Sequence, residues 1–211
     1  MTRILVIDDH EALRAGVKAL LENSIPDVLI NEAWDGDSGL KSVIESQYDL
    51  VILDINIPGT DSIGLVSSIL GMRQDIRILM FSMNAEEIYA KRYLQLGVKG
   101  YVSKNAAAIE IIHAVKDVLE NKKYISPALK NALVEDALGN NSGNPFKQLS
   151  PRELQICQYL IKGKSSADIA SILNLKSSTV GTHKDRLMKK LKCKSIIELS
   201  KLARLHNMPL E

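Results

Sequence analysis

Short apolar runs that end in carboxylates recur in the first half of the chain, and they constrain the fold more than any other feature. The run Ile4–Ile7 is followed at once by Asp8 and Asp9, and the run Leu50–Leu53 is followed by Asp54. Apolar runs of this length, bounded by polar residues, are typical of buried strands in a parallel sheet. Ligands bind beyond the carboxyl ends of such strands, where the strand order reverses. The sequence therefore predicts that these carboxylates meet at one edge of a sheet.

The first 122 residues alternate between strand-like and helix-like segments. Five such units predict an α/β domain with a parallel sheet and helices on both faces. A further helix is predicted over residues 126–138 with Ser126 as its cap, and Gly139–Pro145 has the composition of a flexible linker. Strands are predicted at 3–7, 28–33, 49–53, 76–81 and 99–102, and helices at 10–23, 36–47, 61–72, 84–96 and 105–121.

An all-helical region follows, with a short helix at 166–173 and a longer basic helix at 177–191 joined by a tight turn. This layout is typical of a helix-turn-helix, whose second helix enters the major groove of DNA. Hydroxyls and cations on the exposed face of the second helix suit contacts to phosphates and base edges. The predicted DNA-binding residues are Ser178, Thr179, Thr182, Lys184, Arg186, Lys189 and Lys190.

The charge of the chain is distributed unevenly, although its net value is only +2. Residues 149–211 hold 12 Lys and Arg and 5 Asp and Glu, a net charge of +7, whereas residues 1–148 hold 15 and 20, a net charge of −5. A basic carboxyl-terminal region predicts a polyanionic partner, and an acidic amino-terminal region suits a cation site.

Cysteine use and hydropathy predict a cytoplasmic protein without a membrane partner. No apolar run approaches the length needed to span a bilayer, and the first residues lead directly into a strand rather than forming a signal peptide. Cys157 and Cys193 form no disulfide framework, which suits a reducing compartment. Cys157 lies on the apolar stripe of a helix, so we expect it in the core.

Both regions resemble parts of the bacterial two-component response regulators of the NarL/FixJ family. Residues 1–122 resemble the receiver domain through Val6-Ile-Asp-Asp-His10, Asp54-Ile-Asn-Ile-Pro58-Gly59, Ser82 and Gly100-Tyr-Val-Ser-Lys104. Residues 148–211 resemble the LuxR-type helix-turn-helix through Leu149-Ser-Pro-Arg-Glu153, Gly163, Asp168-Ile-Ala170, Ser178-Thr-Val180, His183, Leu187 and Lys190-Leu191. The resemblance implies a flavodoxin-like (βα)5 receiver at 1–122 with a parallel five-stranded sheet, a linker helix and flexible linker at 123–147, and an all-α LuxR-type DNA-binding domain at 148–211.

The resemblance also implies roles for single residues. Asp54 is then the phosphoacceptor, and Mg²⁺ is held by Asp8, Asp9, Asp54 and the backbone carbonyl of Asn56. Ser82 and Lys104 contact the phosphoryl oxygens, and Tyr101 is the aromatic residue that changes position on activation. These roles agree with the preference of Mg²⁺ for oxygen ligands and with the use of lysine to offset phosphoryl charge.

The function implied is that of a phosphoprotein in a two-component phosphorelay. A sensor histidine kinase phosphorylates the receiver, and phosphorylation switches a sequence-specific, DNA-binding transcription regulator. The family resemblance implies a homodimer on double-stranded DNA or when phosphorylated, and a regulator rather than an enzyme. Gly181 and Asp185 stand where relatives often have basic residues, so the sequence leaves the base contacts open.

Three other functions share parts of this pattern. A Mg²⁺-dependent phosphatase of the haloacid-dehalogenase kind has a second Asp two residues after its nucleophile, where this chain has Asn56. A flavin-binding module needs a glycine- and hydroxyl-rich phosphate loop after the first strand, where this chain has Asp8-Asp-His-Glu-Ala-Leu13. A receiver that serves only as a scaffold does not require Asp8, Asp9 and Asp54, all of which are present here. The residues therefore favour the phosphorylated regulator.

Overall fold

The structure, a computed structural model, describes residues 1–137, 143–206 and 208. Its first domain contains a five-stranded parallel sheet in the order β2-β1-β3-β4-β5, which confirms the predicted α/β fold. The strands are β1 (Thr2–Ile7), β2 (Val28–Ala33), β3 (Leu50–Leu53), β4 (Arg77–Ser82) and β5 (Gly100–Ser103). The helices between and after them are α1 (Glu11–Glu22), α2 (Gly36–Glu45), α3 (Ser62–Met72), α4 (Glu86–Gln95) and α5 (Ala108–Leu119).

The sheet is buried on both faces, which explains why its strands are continuous apolar runs. Successive side chains of a strand point to opposite faces. Leu5 and Ile7 accordingly join the larger core, which also contains residues of α3 and α4, while Ile4 and Val6 join the smaller core with residues of α1 and α5. The two apolar layers fix the strands in place, so the loops at their ends are held in fixed positions.

The strand order brings the predicted site residues together. The central pair β1 and β3 is in parallel register with Ile7 opposite Leu53, so Asp8 and Asp54 leave the sheet side by side. The backbone N–H of Asp54 donates to the carbonyl of Ile7 at 2.9 Å. Strand order reverses at β1, where an open α/β sheet offers its binding crevice.

A connecting helix follows the first domain. Helix α6 (Pro127–Ala137) packs on α4, and the Ser126 hydroxyl accepts from the backbone N–H of Leu129 while donating to the Glu86 carboxylate at 2.6 Å. Leu138 and the first part of the predicted linker Gly139–Pro145 lie outside the described residues. Its last residue begins a 3-10 helix (Pro145–Gln148), an element that the sequence analysis did not predict.

In the part of the second domain that the structure describes there are four α-helices and the 3-10 helix. The helices are α7 (Pro151–Ile161), α8 (Ser166–Ile172), α9 (Ser177–Leu191) and α10 (Ile196–Leu205). Capping boxes begin α7 and α8, whereas α9 begins without a side-chain cap. Phe146 is fully buried, with its ring edge against His206, so the 3-10 helix packs as part of this domain. Among the described residues, none of the helices has both the length and the apolar composition needed to cross a membrane.

The two cysteines differ in accessibility, and this gives a test of the packing. Burial raises the pKa of Cys157 to about 12, and burial also raises the pKa of the half-buried Cys193. Since the thiolate is the reactive form, we expect an aromatic disulfide reagent at mildly alkaline pH to label Cys193 slowly and Cys157 only in denaturant. Cys193→Ser should leave the folded chain unlabelled, and equal labelling of both thiols would contradict the packing.

Candidate functional site

An acidic cluster lies beyond the carboxyl ends of β1 and β3. One ligand atom from each of Asp8, Asp9, His10 and Asp54 lies within 4.8 Å of the others. Asp8 and Asp54 are buried, and Asp9 is more exposed at the rim. The carboxylates that the sequence placed at strand ends therefore meet at one site.

Lys104 is paired with the two buried carboxylates. Its Nζ atom is 2.6 Å from Asp8 Oδ2 and 2.8 Å from Asp54 Oδ2. Burial raises the pKa of Asp54, and the hydrogen bond and positive charge of Lys104 partly offset that effect. Burial alone lowers the pKa of Lys104, but its two carboxylate partners outweigh this and raise it. The ammonium group therefore lowers the cost of a charged carboxylate at this buried position.

Backbone contacts fix the remaining oxygen atoms. Asp54 Oδ1 accepts from the backbone N–H of Ile55 at 2.6 Å, and Asp8 Oδ1 accepts from the backbone N–H of His10 at 2.9 Å. The guanidinium of Arg14, on α1, donates to the backbone carbonyl of Asp8 at 2.6 Å. Fixed carboxylate oxygens, two of them on buried side chains, form a donor set of the kind that a hard divalent cation prefers, so the residues fit a metal ion of the Mg²⁺ type.

The loop after β4 forms the opposite wall of the site. Ser82 is fully buried, and its Oγ atom accepts from the backbone N–H of Asn84 at 3.3 Å. Tyr101 is also fully buried, and its hydroxyl donates to the carbonyl of Asn84 at 2.9 Å. In this structure the Tyr101 ring is therefore turned into the protein core. The side chains of Asn84 and Asn56 exchange two hydrogen bonds, at 3.1 and 3.2 Å, which tie this loop to the one after Asp54.

A buried arginine joins the two domains. Arg92, on α4, donates to the carbonyls of Phe146, Lys147 and Leu149, with distances of 2.7–3.0 Å. The carbonyls of Lys147 and Leu149 lie near the C-terminal end of the 3-10 helix, and that of Phe146 also accepts from the backbone N–H of Leu149 at 3.1 Å. Burial lowers the pKa of Arg92. Its charge is satisfied chiefly by backbone oxygens, so this arginine is the cap for a segment of the other domain.

A second contact between the domains begins only a few residues after Asp54. Asp61 caps α3 through the backbone N–H of Gly64, and its carboxylate also accepts from Arg152 at 2.8 Å and from Gln155 at 2.9 Å. The hydroxyl of Tyr159 donates to the carbonyl of the adjacent Thr60 at 3.3 Å. The loop that follows the acidic cluster is thus in direct contact with α7.

The predicted DNA-contact face of α9 is largely open, but its residues are not equivalent. Ser178, Thr182, Arg186 and Lys189 are exposed on one side of the helix, while Thr179 and Lys184 are half-buried. The Thr182 hydroxyl donates to the carbonyl of Ser178 within the helix. At Gly181 an added Cβ would meet no atom within 4 Å, so packing does not require glycine there.

Lys190 differs from the other predicted DNA-contact residues. Its Nζ atom is 2.6 Å from the buried carboxylate of Glu153 and donates to the carbonyl of Gln148. This pair lowers the pKa of Glu153, although burial of the carboxyl opposes the effect. Lys190 therefore holds α9 against the start of α7, a structural role that the sequence analysis did not predict.

Among the residues that the structure brings into the site or its connections, and that the sequence analysis missed, are Asn84, Asp61 and Arg92. Asp61 was detectable as a cap, since an Asp before an apolar helical segment is a common N-cap. Asn84 and Arg92 gave no signal, because their partners are 28 and more than 50 residues away in sequence. His10 was part of a recognised motif but received no role.

Comparison with protein families gives two matches. Residues 4–116 match the family described as the response regulator receiver domain, and residues 147–203 match the bacterial regulatory proteins of the luxR family. The first match spans the sheet and the acidic cluster, and the second spans α7 to α9 and most of α10.

Curated relatives are similar over nearly their whole length. The response regulator UvrY of Escherichia coli strain K12 is 30% identical over 209 residues, which cover 99% of this chain and 96% of the relative. The virulence-factor transcription regulator BvgA of Bordetella pertussis is 34% identical over 209 residues, 98% of each chain. The response regulator GacA of Pseudomonas protegens is 31% identical over 208 residues, 99% of this chain and 98% of the relative.

Solved structures share the fold. RcsB from Salmonella enterica serovar Typhimurium, solved with promoter rprA in the presence of phosphomimetic BeF3⁻, superposes with a TM-score of 0.79. Its sequence is 23% identical, and the match covers 95% of this chain and 97% of RcsB. At this level of identity the similarity shows that the fold is shared, and it assigns no role to any residue.

Arg92 should stabilise the joint between the domains. Arg92→Met removes the guanidinium donor from three backbone carbonyls, of which that of Phe146 keeps the N–H of Leu149, so we expect the free energy of unfolding to fall by about 2 kcal/mol. Calorimetry should then show the two domains unfolding in more clearly separated transitions. The matched control is Arg204→Met, because Arg204 is exposed on α10. Identical unfolding curves for both variants would show that the Arg92 contacts do not hold the domains together.

Proposed function

We propose a function from the premise that this chain belongs to the bacterial response regulators, which join a receiver domain to a LuxR-type DNA-binding domain. It is thus a DNA-binding transcription regulator whose receiver implies a histidine kinase partner. The proposal concerns which residues perform the switch. The observation that carries it is the pairing of Lys104 with both Asp8 and Asp54 at the end of the sheet.

Asp54 is the phosphoacceptor in this proposal. A carboxylate oxygen of Asp54 attacks the phosphorus of a phosphohistidine, the P–N bond breaks, and the imidazole leaves with a proton. The product is an acyl phosphate on Asp54. Lys104 then moves from carboxylate to phosphoryl oxygen, and the hydroxyl of Ser82 donates to another oxygen, since it only accepts in its hydrogen bond with the Asn84 N–H and its own proton is free to turn. A Mg²⁺ ion held by Asp8, Asp9, Asp54 and the carbonyl of Asn56 would offset the charge of the phosphoryl group.

Phosphorylation changes the loops that carry the links to the second domain. Negative charge on Asp54 changes the hydrogen bonds of Lys104, Ser82 and Asn84. Because the side chains of Asn84 and Asn56 are hydrogen-bonded to each other, the change extends to the loop that contains Asn56. That loop leads to Asp61, the partner of Arg152. Tyr101 is the switch aromatic in this proposal, because its hydroxyl is bonded to Asn84. A local charge therefore biases the orientation of the domains, and the phosphorylated chain pairs as a homodimer on DNA.

The DNA contacts are proposed for the exposed side of α9. Lys189 and Arg186 bind phosphates, Ser178 and Thr182 approach base edges or sugars, and Thr179 and Lys184 contribute from the flanks. Lys190 contributes chiefly through the ion pair that orients the helix. We take the receiver as residues 1–122 and the linker as starting at 123. The predicted linker 123–147 is shortened at its end, because Phe146 is buried with the DNA-binding domain of 148–211 and belongs to it. We place the chain in the cytoplasm, where kinase and DNA are both accessible, and we assign it no turnover of small phosphomonoesters.

Labelling tests the phosphoacceptor. A small acyl phosphate with Mg²⁺ should attach one phosphoryl group per chain, because the activated donor replaces the kinase. Asp54→Asn and removal of Mg²⁺ should each abolish labelling, while Asp37→Asn, at an exposed carboxylate on α2, should label normally. Sedimentation of the labelled chain should show the shift toward dimers. Labelling that survives in Asp54→Asn would disprove the assignment.

The two adjacent lysines of α9 should respond differently. Lys189→Ala should weaken DNA binding on all sequences and make the log–log salt slope shallower by roughly one unit, because one phosphate contact is lost. Lys190→Ala should chiefly lower the melting temperature, since it leaves the buried Glu153 carboxylate without a counter-charge, held only by the backbone N–H of Ser150. Gel shifts over a salt series and thermal unfolding measure the two effects. If Lys189→Ala left the salt slope unchanged, Lys189 would not contact a phosphate.

A further inference from the structure

The imidazole of His10 lies against the acidic cluster and has no part in the function proposed above. Its Nδ1 atom is 3.0 Å from Asp9 Oδ1 and 3.1 Å from Asp8 Oδ1. The His10 side chain is 67% exposed, whereas that of Asp8 is 1% exposed. The ring thus reaches from solvent to the carboxylates and stands at the open side of the cluster.

The two distances match the spacing of neighbouring ligands on one metal ion. Two ligand atoms at right angles on an octahedral ion, each about 2.1 Å from it, are about 3.0 Å apart. Imidazole nitrogen is a ligand that transition metals favour, provided that the ligating nitrogen carries no proton. The donor atom of Asp54 also lies within 4.8 Å of the other three. The spacing of His10 from Asp8 and Asp9 thus suits a shared ion, and the donor atom of Asp54 is close enough to join it after a small shift of a side chain.

Lys104 does not compete for this position. It contacts the Oδ2 atoms of Asp8 and Asp54, whereas His10 faces the Oδ1 atoms of Asp8 and Asp9. The Lys104 ammonium group and the imidazole nitrogen of His10 therefore contact different carboxylate oxygens, and a metal ion beside His10 would leave the Lys104 contacts intact.

We propose that His10 Nδ1 is a ligand of the metal ion held by Asp9 and Asp54, and that it shifts the preference of the site from Mg²⁺ toward transition metals. The inference rests on the metal site of the proposed function and assigns it a nitrogen donor. A nitrogen ligand gains little for Mg²⁺ and more along the series Mn²⁺, Co²⁺, Ni²⁺. His10 is accordingly the residue that determines which divalent ion the receiver retains when several are present.

A hydrogen bond from a protonated Nδ1 to Asp9 has the same length and is the alternative. The two arrangements differ in one respect that can be measured. A hydrogen bond places a proton between nitrogen and carboxylate and discriminates little between metals, whereas a ligand bond has no proton there and produces a graded preference. The experiment therefore compares four metals rather than one.

The test uses calorimetric titration of the full, untagged chain with Mg²⁺, Mn²⁺, Co²⁺ and Ni²⁺, each metal alone. Only binding that excess Mg²⁺ displaces is counted, so that ions on other histidines are excluded. In His10→Phe we expect the affinity for Mg²⁺ to change by less than about twofold and the affinity for Ni²⁺ to fall about tenfold, with Mn²⁺ and Co²⁺ between. The control is His113→Phe, because His113 is exposed on α5 and does not belong to the cluster. It should bind all four metals as the unaltered chain does.

Pulsed electron paramagnetic resonance of bound Mn²⁺ gives a readout that does not depend on a variant. The unaltered chain should show coupling to a directly bound ¹⁴N nucleus, and His10→Phe should lose it. Absence of this coupling in the unaltered chain, or an equal loss of affinity for all four metals in His10→Phe, would overturn the nitrogen ligand while the oxygen site remained. Failure of the unaltered chain to bind any of the four metals would remove the proposed metal site, and the inference with it.

Discussion

The interaction on which the site depends is the burial of two carboxylates against one ammonium group. Asp8 and Asp54 are almost fully buried, and ionised groups in such positions are costly unless they are paired. Lys104 supplies one positive charge for two negative ones, so the group of three retains a net negative charge. An excess of this kind attracts a cation and at the same time leaves Asp54 electron-rich. The fold can tolerate it because the register of β1 and β3, set by apolar packing on both sheet faces, holds the carboxylates in place.

The path from this site to the second domain is short and polar. The Asn56–Asn84 amide pair joins the loops after β3 and β4, Asp61 lies seven residues beyond Asp54, and α4 carries Arg92 into the 3-10 helix. Backbone carbonyls, side-chain amides and one ion pair make these contacts, and such groups can exchange partners with small movements. The domains are thus connected by the loop before α3 and by α4, the elements that follow β3 and β4. Both follow strands that end at the acidic cluster, so the proposed change of charge at Asp54 would lie close to both contacts.

Sequence patterns predicted the sheet and the position of the acidic site because these depend on local regularities. Apolar runs mark buried strands, and residues immediately after them must lie at the sheet edge, so Asp8, Asp54 and Lys104 could be placed together before the structure was known. Contacts between distant segments have no such signature. An arginine in a helix is usually a surface residue, yet Arg92 is buried by a segment more than 50 residues away in sequence. Lys190 was interpreted from its charge alone, and only its three-dimensional neighbour Glu153 distinguishes it from Lys189.

The open face of α9 has a consequence for how such a protein searches a chromosome. The described contacts between the domains use α4, the loop before α3, α7 and the 3-10 helix, so Arg186 and Lys189 remain exposed while the domains are docked. With the contacts proposed for α9, a single copy would touch DNA through charge alone before any signal arrives. In the proposed dimer a second DNA-binding domain is present at high effective concentration, so the residence time on DNA would rise although neither domain changes. The signal would then lengthen each visit to a promoter rather than permit the first one.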